Sequence, residues 1–214
     1  MITAAQWLRV LAYCGVKFTI STSWAKVFEA RVQPELFSLG QAELDDFVGQ
    51  TLHESGMLEH LVENLNYSGK RIREIGNASP PGSRWRSLVP IADSLSFKPR
   101  EFGNAVYGGR MGNTLPESGY KYRGRGIPMI TGYDNYLLVQ KLTGLPIVAQ
   151  PELLEQPDTA LRCAILWWEK RVPDSAIDSV ERVTKAVQGG QLGLEHRRQL
   201  TQKASQALKE CLKV

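Results

Sequence analysis

Cysteine is scarce in this chain. Cys14, Cys163 and Cys211 stand far apart, and none belongs to a CxxC pair. That excludes a zinc finger and a thioredoxin-type motif. An odd number of isolated thiols fits folding in a reducing cytoplasm. Cys163 and Cys211, set among apolar neighbours, read as buried and inert. Long apolar runs are missing too. No stretch approaches the roughly 18 uncharged apolar residues of a bilayer crossing, so stable membrane insertion is not expected. The first twenty residues carry Arg9 and Lys17 within their apolar stretch. They lack the basic–apolar–small order of a secretory signal, so any action outside the cytoplasm requires a separate route out.

What is present is an ordinary globular composition. Of 214 residues, 43% are hydrophobic and 22% charged, which excludes disorder and low-complexity repeats. One domain over 1–214 is expected at this length. Its core should bury about 70% of the surface that the open chain exposes. Lys and Arg outnumber Asp and Glu by 26 to 22, a net charge of +4. A mildly basic surface favours anionic partners without choosing among nucleic acid, lipid and bacterial wall.

The apolar pattern is mostly helical. Thr3 to Gln6 reads as a capping box, with Trp7, Leu8 and Leu11 on one face behind it. A second helix is expected over Ser23–Ala30. The clearest begins near Gln41, where Leu44, Phe47, Val48, Thr51 and Leu52 form one stripe. Residues 69–100 are basic and broken by prolines, and read as a small lobe or insertion. Residues 107–132 are rich in glycine and imply tight turns, with a small hairpin near 107–131. Helices resume around Leu161, Ile165 and Trp168, then around Ile177, Val180, Val183 and Val187. A terminal amphipathic helix carries Leu200, Ala204, Ala207, Leu208, Cys211 and Leu212. The fold class is therefore mainly α with few short strands.

Candidate chemistry centres on Glu54. It falls at the boundary between the apolar stripe and water, where lost hydration favours a neutral carboxyl able to donate a proton. Glu59 and Glu63 follow closely, and two carboxyls on one cleft are the minimum for glycoside hydrolysis. On an unbroken helix Glu63 would point roughly 180° away from Glu54. The helix must end or bend between them, and Ser55-Gly56 offers the place. His53-Glu54 is not a zinc motif, because Met57 stands where the second His is needed. His53 and His60 read as surface or partly buried. No phosphate-binding loop is present. Arg110, Lys121, Arg123 and Arg125 among Tyr107, Tyr120 and Tyr122 suit single-stranded nucleic acid or a sugar groove.

Four ordered blocks resemble family 19 glycoside hydrolases: HESGMLEHLVENLNYS (53–68), VYGGRMGNTLPESGYKYRGRG (106–126), ITGYDNY (130–136) and VTKAVQGGQLG (183–193). Within the family, short bacteriophage endolysins and bacterial chitinase-like proteins are the nearest in pattern. The resemblance implies a lysozyme-like fold with two helical lobes flanking a groove. It implies inverting hydrolysis of β-1,4-linked N-acetylhexosamine chains without metal or organic cofactor. Glu54 matches the general acid, Glu63 the base and Thr131 the hydroxyl that positions water. Asn135 matches a substrate-binding amide. Arg123 and Arg125 match the block that shapes and charges the groove, and Tyr122, Tyr107 and Gln188 are expected to line it. Met129, Gln188 and Leu192 replace amides usual in the family, and Pro128 beside Met129 is also unusual. These departures favour peptidoglycan over chitin as substrate. The expectation is a monomeric endolysin made in the bacterial cytoplasm that acts on the wall after release, with no role for nucleic acid. A chitinase, or a wall-binding protein with an impaired site, are the alternatives.

Overall fold

The computed structural model describes residues 1–211. Leu212, expected on the last helix, lies outside them. α1 (Ala4–Cys14) begins at the capping box: Thr3 Oγ1 accepts from the Gln6 N–H and the Gln6 side chain accepts from the Thr3 N–H. α2 spans Phe18–Arg31, longer than expected. Ser23, the expected start, lies inside it. Thr22 Oγ1 and Ser23 Oγ donate to the carbonyls of Phe18 and Ile20, both at 2.8 Å, so the hydroxyls find partners on the preceding turn.

A 3₁₀ turn over Gly40–Glu43 leads into α3 (Leu44–Glu54), whose apolar stripe is buried. α4 (Gly69–Ala78), α5 (Arg84–Ser87) and α6 (Pro99–Tyr107) form the basic stretch. Then come α7 (Ser118–Lys121), α8 (Tyr133–Thr143), α9 (Pro157–Arg171), α10 (Val180–Gln188) and α11 (Leu194–Cys211). Ile177 falls outside α10, behind a 3₁₀ turn over Asp174–Ala176. No helix among the described residues is long and apolar enough to cross a membrane.

The protein is mainly α. Strand pairing among the described residues amounts to two antiparallel bridges, Val62 with Arg125 and Arg125 with Ile130. The hairpin expected near 107–131 is thus confined to its last few residues, because α7 and tight turns occupy the rest.

Three apolar clusters organise the chain. The main one joins α1, α2, α3, α9, α10 and α11. α11 packs closely along α3 because position 49 is glycine: a Cβ there would meet the Thr201 backbone nitrogen at 2.8 Å. A second cluster holds Leu65, Ile72, Leu88 and Phe102, where the rings of Tyr67, Trp85 and Phe102 meet one another 5.2–5.5 Å apart. The third gathers Tyr122, Ile130, Tyr136 and Cys163. Burial pushes the Cys14 and Cys163 thiols up to about 12, which leaves them protonated and inert. Cys211 is only half-buried, because it sits at the end of α11.

Candidate active site

Glu54 is the last residue of α3. The helix stops because Ser55 turns its side chain back: Oγ donates to the Thr51 carbonyl at 2.7 Å and accepts from the Leu58 N–H at 2.9 Å. Gly56, Met57 and Leu58 then follow with φ of 55°, 65° and 67°. Left-handed backbone is costly for side-chain-bearing residues. Burial of Leu58 and the bonds from Met57 N–H to the Leu52 carbonyl and from His60 N–H to the Ser55 carbonyl hold it. The chain reverses, and Glu63 reaches an extended segment where its N–H donates to the Gly124 carbonyl at 2.9 Å. Glu54 and Glu63 line one open trench of about 470 Å³, together with His53, His60, Asn64 and Met129. Glu59 pairs instead with Lys17 at 2.9 Å and takes no part in the trench lining.

Glu54 does not face apolar surface alone. Its Oε1 accepts from Arg197 Nη2 at 2.6 Å. Arg197 is 2% exposed; it also donates to Gln50 Oε1 and to the Leu192 carbonyl. The Gln50 amide in turn donates to Thr184 Oγ1 at 3.1 Å. Arg197 was not legible as a site residue. It lies 143 positions away from Glu54 on a helix rich in charge, and nothing local distinguishes it from its neighbours. His53 lies against Gly193, where a Cβ would come within 2.3 Å of its ring. Its Nδ1 is 2.9 Å from that of His196. Burial, then Arg197, lowers the proton affinity of His53.

Glu63 is held from two sides. Tyr107 donates its hydroxyl to Oε1, and the Gly124 N–H donates to Oε2 at 3.1 Å. Burial, followed by the Glu63 charge, pushes the Tyr107 phenol far up, so it stays a donor. A Cβ on Gly124 would lie 3.3 Å from both Glu63 Oε2 and Thr131 Oγ1, so the carboxylate and the hydroxyl flank the same glycine. Thr131 Oγ1 donates to the Met129 carbonyl at 2.9 Å, and Asn135 Nδ2 donates to the Thr131 carbonyl at 2.8 Å.

The remaining candidates divide. Arg123 stacks over Tyr120, 4.3 Å from its centroid, and stays half-buried. Arg125 does not charge the groove. It is 6% exposed and donates to Glu155, the Lys121 carbonyl and Tyr136, because its lobe needs an internal tie. Tyr122 is no stacking platform either: it is buried against Tyr133 and Tyr136. Gln188 is exposed and donates to the Leu192 carbonyl at 2.8 Å, the same oxygen that Arg197 uses. It braces a loop rather than lining the trench. Among the described residues no group of three or more His, Cys, Asp or Glu side chains is placed to hold a metal.

No family model matches the chain. A glycosyl hydrolase family 19 domain-containing protein of Haemophilus influenzae is 34% identical over 157 residues, covering 71% of this chain and 72% of that protein. The chain belongs to glycosyl hydrolase family 19. An inactive endochitinase of Arabidopsis thaliana is 27% identical over 119 residues, 55% of this chain and 43% of its own length. Among solved structures, chitinase C from Streptomyces griseus superposes with a TM-score of 0.55 at 15% identity, covering 97% of this chain and 76% of its own. A chitinase C mutant gives 0.54 at 14% identity, with 97% and 92% covered. The family 19 fold, mainly α and lysozyme-like, is therefore the fold of this protein.

Proposed function

We propose that this family 19 protein is an endolysin-type hydrolase that cuts β-1,4 glycosidic bonds of bacterial peptidoglycan with inversion. The observation that carries the reading is the single trench lined by both Glu54 and Glu63. An inverting mechanism needs an acid on one wall, a base on the other and room for water between them. Glu54 acts as the acid. Arg197 occupies its Oε1, so Oε2 carries the proton given to the leaving oxygen. Glu63 acts as the base: two donors orient its carboxylate, and it takes the proton of the attacking water. Thr131, beside it, helps position that water. After one turnover Glu54 is ionised and Glu63 protonated, and solvent exchange restores both. The protein works as a monomer, is made in the bacterial cytoplasm and acts on the wall after release.

Chitin is the second reading, supported by the chitinases among the structural neighbours. An impaired wall-binding protein is a third, since one relative is an inactive endochitinase. Mass spectrometry of the reducing ends released from purified peptidoglycan and from colloidal chitin separates all three. New reducing ends from peptidoglycan are expected. Release from chitin alone selects the second reading, and binding without release selects the third. Glu54→Gln and Glu63→Gln should each lower turnover about 10²–10⁴-fold, the usual span for a general acid or base. Glu59→Gln should leave turnover near wild type; the reverse pattern reassigns the base.

A further inference from the structure

Behind Glu54 lies a second, much smaller slot of about 30 Å³. Gln50, Glu54, Pro128, Trp167, Arg171 and Val187 are among its walls. That is room for about one water or one methyl group, and too little for a sugar ring. Arg171, one of those walls, is exposed to solvent. The guanidinium lies 4.2 Å from the Trp167 ring centroid, and its Nη2 reaches Asn135 Oδ1 at 3.5 Å. Asn135 is the residue that braces Thr131, so Arg171 shares the slot with Glu54 and contacts the residue that holds Thr131.

Among the described residues, no carboxylate lies within 4.0 Å of Arg171. Two buried arginines differ: Arg197 pairs with Glu54 and Arg125 with Glu155. As the last residue of α9, Arg171 gains a little from the helix dipole. That accounts for a positive charge there. It does not account for a guanidinium placed over an aromatic ring and within reach of the Asn135 amide oxygen. An arginine so held is preorganised for an oxygen anion.

We propose that Arg171 and the slot beneath it form a subsite for the lactyl ether of an N-acetylmuramic residue. The lactyl methyl enters the slot, and the lactyl carboxylate, which is free only on strands whose amide-linked stem peptide has been removed, accepts from Arg171, so the subsite favours peptide-free strands. An N-acetylglucosamine unit has a bare hydroxyl at that position and offers neither group. This inference rests on the peptidoglycan reading and specifies what in that polymer is recognised.

The test uses three substrates: peptidoglycan strands stripped of peptide by an amidase, the same strands with their lactyl carboxylates capped by methylamine, and chitohexaose. Wild type should cut the uncapped strands with kcat/KM about tenfold above the capped ones, the worth of one charge-assisted contact. Arg171→Gln should abolish that ratio, and Arg171→Lys, which keeps the charge, should retain part of it. Melting temperatures of both variants report folding, and Arg171→Lys keeps the comparison informative should Arg171→Gln fold poorly. A wild type that cuts capped and uncapped strands alike, or an Arg171→Gln protein that keeps the full ratio, overturns the subsite and leaves the peptidoglycan reading standing. Cleavage of chitohexaose with neither strand cut overturns both.

Discussion

Gly124 shows how one missing side chain organises the trench. An added Cβ would press on Glu63 Cβ at 3.1 Å and approach Oε2 and Thr131 Oγ1 at 3.3 Å. Its φ lies outside the left-handed region, so alanine brings crowding without backbone strain. Gly124→Ala should lower kcat about tenfold or more while the melting temperature moves by only a few degrees; activity at the wild-type level would mean Glu63 tolerates the shift. Asp46 makes a different case. It is 3% exposed, and its Oδ1 has no hydrogen-bond partner among the described residues. Burial, then the Asp45 charge, pushes it up to about 7 from the ordinary carboxylate range. A raised acid stabilises the fold at low pH, and that contribution is lost as pH climbs from about 4 through 7. Asp46→Asn should therefore raise the melting temperature at pH 8 by about 5 °C or more and change little at pH 4, as read by thermal scans. Glu54, Glu63 and Thr131 stand in dense local motifs, which is why the sequence alone names them as candidates. The burial of Arg125 and Tyr122 was not legible, since Glu155, Tyr133 and Tyr136 reach them only in the folded lobe.

Among the elements, α3 and α11 bear most on the site. Gly49 lets them approach, and Arg197 ties Gln50 and Glu54 of one to the other. Arg197→Met should cost about 2–3 kcal/mol in urea unfolding, because it strands a buried amide and a half-buried carboxylate. A loss below about 0.5 kcal/mol would mean that solvent replaces it. The basic stretch offers another element to test. Arg84, Arg86 and Arg110 surround an open concavity of about 850 Å³ beside Trp85, suited to an anionic wall polymer. Arg84→Glu with Arg86→Glu should slow lysis of intact cells at low salt, and the difference should shrink as salt rises. Equal rates across the salt range would remove that role. Helix α1 and the stripe of α3 were readable from capping and periodicity. The start of α2 was not, because serine and threonine bond equally well as caps and inside a helix. The stop after Glu54 was readable from Ser55-Gly56, whereas the left-handed turn through Met57 and Leu58 is imposed by the packing beneath it.

At the scale of the molecule, each of the three apolar clusters holds a residue next in sequence to the trench lining or nearly so: Leu61 packs on the first, Leu65 belongs to the second and Ile130 to the third. Helical periodicity made the mainly α class legible. The docking of α11 against α3 was hidden, because contacts between residues more than a hundred positions apart leave no local pattern. If Glu54 and Glu63 act from opposite walls on one bond, water attacks the anomeric carbon from the far face and inverts it. Proton NMR of freshly formed reducing ends tests it most directly, read within seconds of mixing enzyme with peptidoglycan strands or chitohexaose. The α-anomer should appear first and relax toward equilibrium. First appearance of the β-anomer would mean that the bond is cut with retention and that Glu63 does not activate the attacking water.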